Sequence, residues 1–195
     1  MKKNIRRIAV AAAALLLTQP AIAAERYVFD KEHTEIEFAW NHLGFSTTSG
    51  NFKDFDGALT FDEANPSASS VEVTIDIDSL DSNIPDLDEH LKGGDFFEVD
   101  QHPEASFEST AVRATGEDHY EVDGELTLHG HTEPVTLDVT INKIGMHPMT
   151  EAKTIGFDAT TTVSRSAFGL GMYTPAIGDE VQIQISSEMP RESDL

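Results

Sequence analysis

The chain contains no cysteine among its 195 residues. Disulfides, thiolate catalysis and cysteine metal sites are therefore excluded. Basic residues are scarce, with 13 Lys and Arg against 35 Asp and Glu. So acidic a surface repels nucleic acid and anionic headgroups, which argues against DNA binding and against electrostatic docking to a membrane. Long apolar runs are missing too. The one unbroken stretch, Ile8 to Leu17, is too short for a comfortable transmembrane helix, and no second run follows it. Nor does the sequence carry G-x-S-x-G, a P-loop, G-x-G-x-x-G or H-E-x-x-H.

That first apolar stretch has a different meaning. Lys2, Lys3, Arg6 and Arg7 precede it, and Pro20-Ala21-Ile22-Ala23 ends it in an A-x-A pattern. The pattern predicts a secretory signal over 1–23, a single mature domain over 24–195 and a periplasmic destination. Cleavage would leave nine bases against 35 acids, a formal charge of −26. Solubility is one reading of that charge. Life in a salty medium, where screening makes crowded carboxylates inexpensive, is the other.

What the mature chain does have is alternation. Val71, Val73, Ile75 and Ile77 are interleaved with Glu72, Thr74, Asp76 and Asp78. Val135 to Asn142, Ile155 to Val163 and Val181 to Ser186 repeat that two-residue period, and Ile36, Phe38 and Trp40 share a face opposite Glu35 and Glu37. Turn chemistry separates these segments at Asn65-Pro66-Ser67, at Gly116-Glu117-Asp118, at Gly130 with Pro134 and over Gly145 to Thr150. About eight strands are expected, with Arg26–Asp30 a short addition. Such strands build a sandwich or a barrel. Strands of roughly 10 residues, ~33 Å long, favour the barrel, as do bend glycines such as Gly50 and Gly57. A barrel of that size is either filled by side chains or holds one slender ligand.

One segment breaks the period. Leu87 to Lys92 reads as a short helix that stops at Gly93-Gly94. Asp95-Phe96-Phe97 follows, then His102-Pro103, and alternation resumes towards Phe107. A lone helix ending in aromatics suits a plug for one barrel mouth.

The candidates for chemistry are few. His129-x-His131 has a metal-like spacing, but it flanks Gly130 in an expected hairpin turn and lacks a third ligand nearby, so turn residues are favoured. His33, His42, His90 and His102 lie scattered along the chain. The pairs Asp76/Asp78 and Asp86/Asp88 are read as solvated surface carboxylates, since a catalytic pair needs a cleft that raises one pKa. Arg165 is a rare base beside Ser166-Ala167-Phe168-Gly169. It reads equally as a surface ion-pair partner or as a rim anchor for a polar headgroup or the plug.

Taken in order, these pieces resemble the YceI family of bacterial periplasmic, lipocalin-like proteins across nearly the whole mature chain. They are Tyr27-x-Phe29-Asp30 with His33-Thr34, Phe38 with His42-Leu43-Gly44, and Gly50-x-Phe52-Lys53-Asp54-Phe55-Asp56-Gly57. Then come His90-Leu91-Lys92 with Asp95-Phe96-Phe97 and His102-Pro103, Gly124-x-Leu126-Thr127-Leu128-His129-Gly130-x-Thr132, and Arg165-x-x-Phe168-Gly169. Leu87, where members often carry arginine, and Ala167, where an acid commonly precedes Phe-Gly, depart from the pattern and remove rim charges.

The resemblance implies an all-β fold, an extended antiparallel lipocalin-like β-barrel of about eight strands with a short helix between central strands. Its apolar pore would hold a polyisoprenoid chain or an isoprenoid quinone, with no cofactor, metal or catalytic group. Expected wall residues are Phe38, Trp40, Val73, Ile75, Phe107, Leu126, Leu137, Val139 and Phe157. Phe52, Leu91, Phe96, Phe97 and Phe168 are expected near the mouths, with His42, His90 and Arg165 as polar rim residues. The partners admitted are an isoprenoid lipid or quinone and, left open, a second copy in a homodimer. Two rival readings stand beside this carrier: an enzyme acting on a lipid-like substrate at the rim, and a stress-related interaction module with a packed barrel.

Overall fold

A computed structural model describes residues 24–195; the expected signal, 1–23, lies outside the described residues. Eleven antiparallel strands form one sheet. They are β1 (Glu25–Val28), β2 (Glu35–His42), β3 (Ser46–Phe52), β4 (Phe55–Phe61), β5 (Ser70–Asp76), β6 (Leu80–Asp81), β7 (Glu104–Ala114), β8 (His119–Leu128), β9 (His131–Met146), β10 (Lys153–Ser164) and β11 (Ile177–Pro190), with helix α1 (Pro85–Lys92) after β6.

The count exceeds the expected eight because three long strands are creased. β1 and β2 are successive parts of one run. It pairs along one edge with β3 and β4 and along the other with β11. β3 and β4, parted at Lys53-Asp54, are likewise one run, and so are β5 and β6, interrupted by the 3-10 turn Ile77–Ser79. The breaks lie level with one another, since the Lys53 N–H donates to the Ser79 carbonyl and the Asp76 N–H to that of Asp54. Eleven segments thus make eight continuous runs, each beside its sequence neighbour.

The first and last runs meet to curl the sheet round on itself. β2 pairs with β11 from Glu35↔Ser186 to His42↔Ile177. Beyond the crease, Asp30 and His33 bond Glu188, and Tyr27 bridges Arg191. Thr34 and Ser187, both buried, bond hydroxyl to hydroxyl at 2.9 Å on this seam. Gly57, at φ +152, illustrates the sterics of the bend: a Cβ there would stand 2.1 Å from the Glu72 carbonyl oxygen.

Alternation puts apolar side chains inside and carboxylates outside. At one end, here the base, Tyr27, Phe61, Ile141, Ile155 and Met189 pack into a closed cluster. Glu25 seals its rim, accepting from Lys153, Arg191 and the Tyr27 hydroxyl. The Lys153 ammonium foremost, with Arg191 and Tyr27, holds the Glu25 carboxyl down at about 2 against an ordinary 4.5. At the other end, α1 packs Leu91 on Phe38 and Leu80, with Leu87, Phe96 and Phe97 against them. Pro85 opens the helix, Asp86 and Asp88 favour its first turn, and Lys92 its last. No helix among the described residues is long and apolar enough to cross a membrane.

Candidate functional site

Between base and plug the barrel is hollow. The cavity measures about 750 Å³, within the ~300–1,000 Å³ typical of small-ligand sites. Its wall explains a pattern in the burial. Val71, Val73 and Ile75 point inward yet are only half-buried, as are Leu137, Val139, Val181 and Ile183. In a barrel packed solid the same positions would be buried, so the filled interior required by the interaction-module reading is not what the chain builds.

Every residue expected at the wall or mouths lines this cavity. Phe38 and Trp40 come from β2, their rings stacked 5.8 Å apart and 7° from parallel. Phe52 reaches Phe38 from β3 at 5.0 Å. Val73 and Ile75 stand on β5, Phe107 on β7 and Leu126 on β8; Leu137 and Val139 stand on β9 and Phe157 on β10. Leu91, Phe96 and Phe97 face it from the plug, and Phe168 from the turn after β10.

Alternation alone misses other wall residues. Val112 is one: a bulge between Ser109 and Ala111 shifts the inward face of β7 from odd to even positions. Tyr173 comes from the loop before β11, whose placement no periodicity encodes, and Ile177 opens β11 itself.

The polar rim residues resolve differently. Arg165 is buried and serves neither as a surface ion-pair partner nor as an anchor for the plug. Its Nε donates to the Gly178 carbonyl at 2.9 Å, one terminal nitrogen to that of Ile177 at 3.2 Å, and the other to that of Leu170. Burial lowers its pKa from the ordinary value, and these carbonyls compensate the charge. Arg165 thus ties the start of the loop at Leu170 to the first residues of β11, while the side chain borders the cavity.

His42 lies exposed at the end of β2. His90 packs edge-on against Phe96 at 5.1 Å and lies 3.8 Å from Asp95. Both border the cavity. Among the described residues no hydrogen bond joins His42, His90 and Arg165 to one another. Leu87 sits in the apolar plug cluster, so an apolar contact stands where an arginine would have brought charge.

The turn expected around Gly130 is a two-residue hairpin of His129 and Gly130, with φ +51 and +75, and it is tighter than expected because Pro134 already lies within β9, paired with Glu125. His131 is not the ligand-like partner of His129. The His129 ring instead approaches Glu98 and His102.

Comparison with known proteins agrees with this architecture. The YceI-like domain matches residues 27–189. A UPF0312 protein of Pseudomonas aeruginosa is 41% identical over 194 residues, covering 98% of this chain and 100% of that protein. One from Pectobacterium carotovorum is 40% identical over 194 residues, covering 98% and 99%. Among solved structures, Burkholderia cenocepacia BcnA superposes with a TM-score of 0.75 at 30% identity, over 82% of this chain and 98% of that one. A polyisoprenoid binding domain from Saccharophagus degradans, 14% identical with a TM-score of 0.64 over 86% and 99%, shares the fold.

Proposed function

The chain belongs to the YceI-like domain family, and from that premise we propose that it is a periplasmic binding or carrier protein. Its ligand in this reading is a polyisoprenoid chain or an isoprenoid quinone held along the barrel. The observation that carries the proposal is the hollow, apolar interior. An empty apolar tube forgoes dispersion contacts along its whole wall, and a hydrocarbon chain restores them. Each methylene withdrawn from water contributes ~0.8 kcal/mol, so several isoprene units offset the cost of ordering the chain. At the ~30 Å³ a water-sized group takes, the cavity accommodates on the order of 25 carbons.

Three further facts support the reading. The Saccharophagus neighbour is itself a polyisoprenoid binding domain. The signal-like start of the chain suits export to the periplasm. Arg165, a buried cation on the wall, is engaged by backbone carbonyls, and among the described residues no hydrogen bond joins it to His42 or His90.

The test is organic extraction of purified protein followed by mass spectrometry, with titration of added quinone. A prenyl lipid is expected in repeated preparations, together with quenching of Trp40. That residue is the only tryptophan and lies on the cavity wall, so the signal reports the pore. No prenyl lipid and an unchanged fluorescence would sink the carrier reading.

A further inference from the structure

Outside the cavity, three side chains from two separate parts of the chain converge behind the plug. The His102 N–H donates to the Glu98 carbonyl at 3.0 Å. That closes a single tight turn, entered by Glu98 at φ +48, and brings residues 98 and 102 together. His129 reaches the same place from the hairpin turn between β8 and β9. One donor atom from each of Glu98, His102 and His129 lies within 4.8 Å of the others.

The chemistry of the three is lopsided. The Nδ1 of His129 lies 3.1 Å from the Phe168 carbonyl oxygen, which can only accept, so Nδ1 carries the proton. The neutral ring then presents a lone pair at Nε2. That atom is buried and has no hydrogen-bond partner, and it faces a Glu98 carboxylate oxygen 3.9 Å away, which is also an acceptor. The other Glu98 oxygen accepts from Gln101. The His102 ring stands edge-on to His129, with centroids 4.6 Å apart. An unpartnered ring nitrogen and a carboxylate oxygen thus face each other, with no hydrogen bond between them among the described residues, and a cation is what balances them.

The geometry points to a binding site for a divalent ion of the zinc class, held by Glu98, His102 and His129. Two imidazoles and one carboxylate are a zinc-type donor set, with a fourth position open to water. Calcium and magnesium are excluded as natural occupants because they take mainly oxygen ligands. At bond lengths of ~2.0–2.2 Å a tetrahedral ion spaces its ligands ~3.4 Å apart. The donors therefore need to draw in by about an ångström, and Glu98, partly exposed at 37%, is free to do so. The Phe168 carbonyl plays the outer role usual for a metal-bound histidine, fixing the tautomer and the ring. Such an ion would join the tail of the plug to the hairpin turn, whatever fills the barrel.

The competing occupant is a proton on Nε2, giving an imidazolium beside Glu98. Calorimetric titration of untagged, chelator-treated protein with zinc chloride, repeated with magnesium chloride, separates the two. One saturable zinc site and a rise in Tm are expected, with magnesium giving neither. Glu98→Gln, which keeps the shape of the side chain, and His102→Ala should each weaken zinc at least tenfold. His131→Ala, two residues along the same hairpin, should leave it unchanged. Absence of a saturable zinc site overturns the proposal. So does equal binding by Glu98→Gln, or an equal response to magnesium, which would assign the ion to the acidic surface.

Discussion

At the base of the barrel, Tyr27, Ile155 and Met189 are at most 1% exposed, and the ion pairs of Glu25 close over them. At the mouth, Phe45 is 91% exposed, while Leu43, Ile84 and Tyr173 are about half exposed beside the plug. The same alternating strands run through both ends, so the difference lies in what caps them. The base is finished by side chains of the strands themselves. The mouth is finished by a helix and loops laid across it. Parts attached by loops open at lower cost than parts woven into the sheet, so the base is expected to carry stability and, on the carrier reading proposed above, the mouth to admit the ligand.

Mutations at the two ends should separate these roles. The largest effect is expected at the base. Ile155→Ala leaves a cavity in the sealed cluster and should cost about 3 kcal/mol in denaturant unfolding. Next is Arg165→Lys, where a buried side chain ties the mouth together. A lysine cannot satisfy three diverging carbonyls, so a loss of roughly 2 kcal/mol is expected. A change near zero there would show the mouth to be loose throughout.

Glu25→Gln should cost about 1 kcal/mol at neutral pH, with a signature in acid. The folded carboxyl sits at about 2 against an ordinary 4.5. Its stabilisation is therefore present above about pH 4.5 and is lost as pH falls towards 2. The gap between wild type and variant should close over that window when stability is measured against pH. The smallest effect is Phe45→Ser, within ~0.5 kcal/mol of wild type, with a several-fold slower uptake of quinone in stopped-flow fluorescence. Uptake at an unchanged rate would remove Phe45 from the entry path.

Much of this contrast was legible in the sequence, and what was not has physical causes. Two-residue alternation located the walls because a strand face is a local property. The plug was visible because Leu87 to Lys92 breaks that period, although the helix itself begins two residues earlier, at Pro85. Alternation failed at Val112, where a single bulged residue reverses the inward face. It did set the short strand at Arg26–Asp30 apart from the one beginning at Glu35, as β1 and β2 are, but not their shared pairing along β3 and β4, which lies in tertiary hydrogen bonds. The Glu98, His102 and His129 cluster joins a plug turn to a hairpin turn, and no spacing reveals such proximity. Arg165 was conspicuous for its rarity, but its role depended on where the chain from Leu170 to Gly178 folds back.

The seam has a consequence for how the protein is made. Every other run finds its partner next door in sequence, whereas Glu35–His42 must wait for Ile177–Pro190. A chain that emerges N-terminus first, from the ribosome or through a translocon, holds an open sheet with a bare edge until its final segment arrives. Bare edges invite pairing between copies. Glu35 and Glu37 project from that waiting edge strand, so two unfinished chains approaching edge to edge meet like charge against like charge. The acidity that the finished protein wears as a surface also guards the molecule during the interval before it closes.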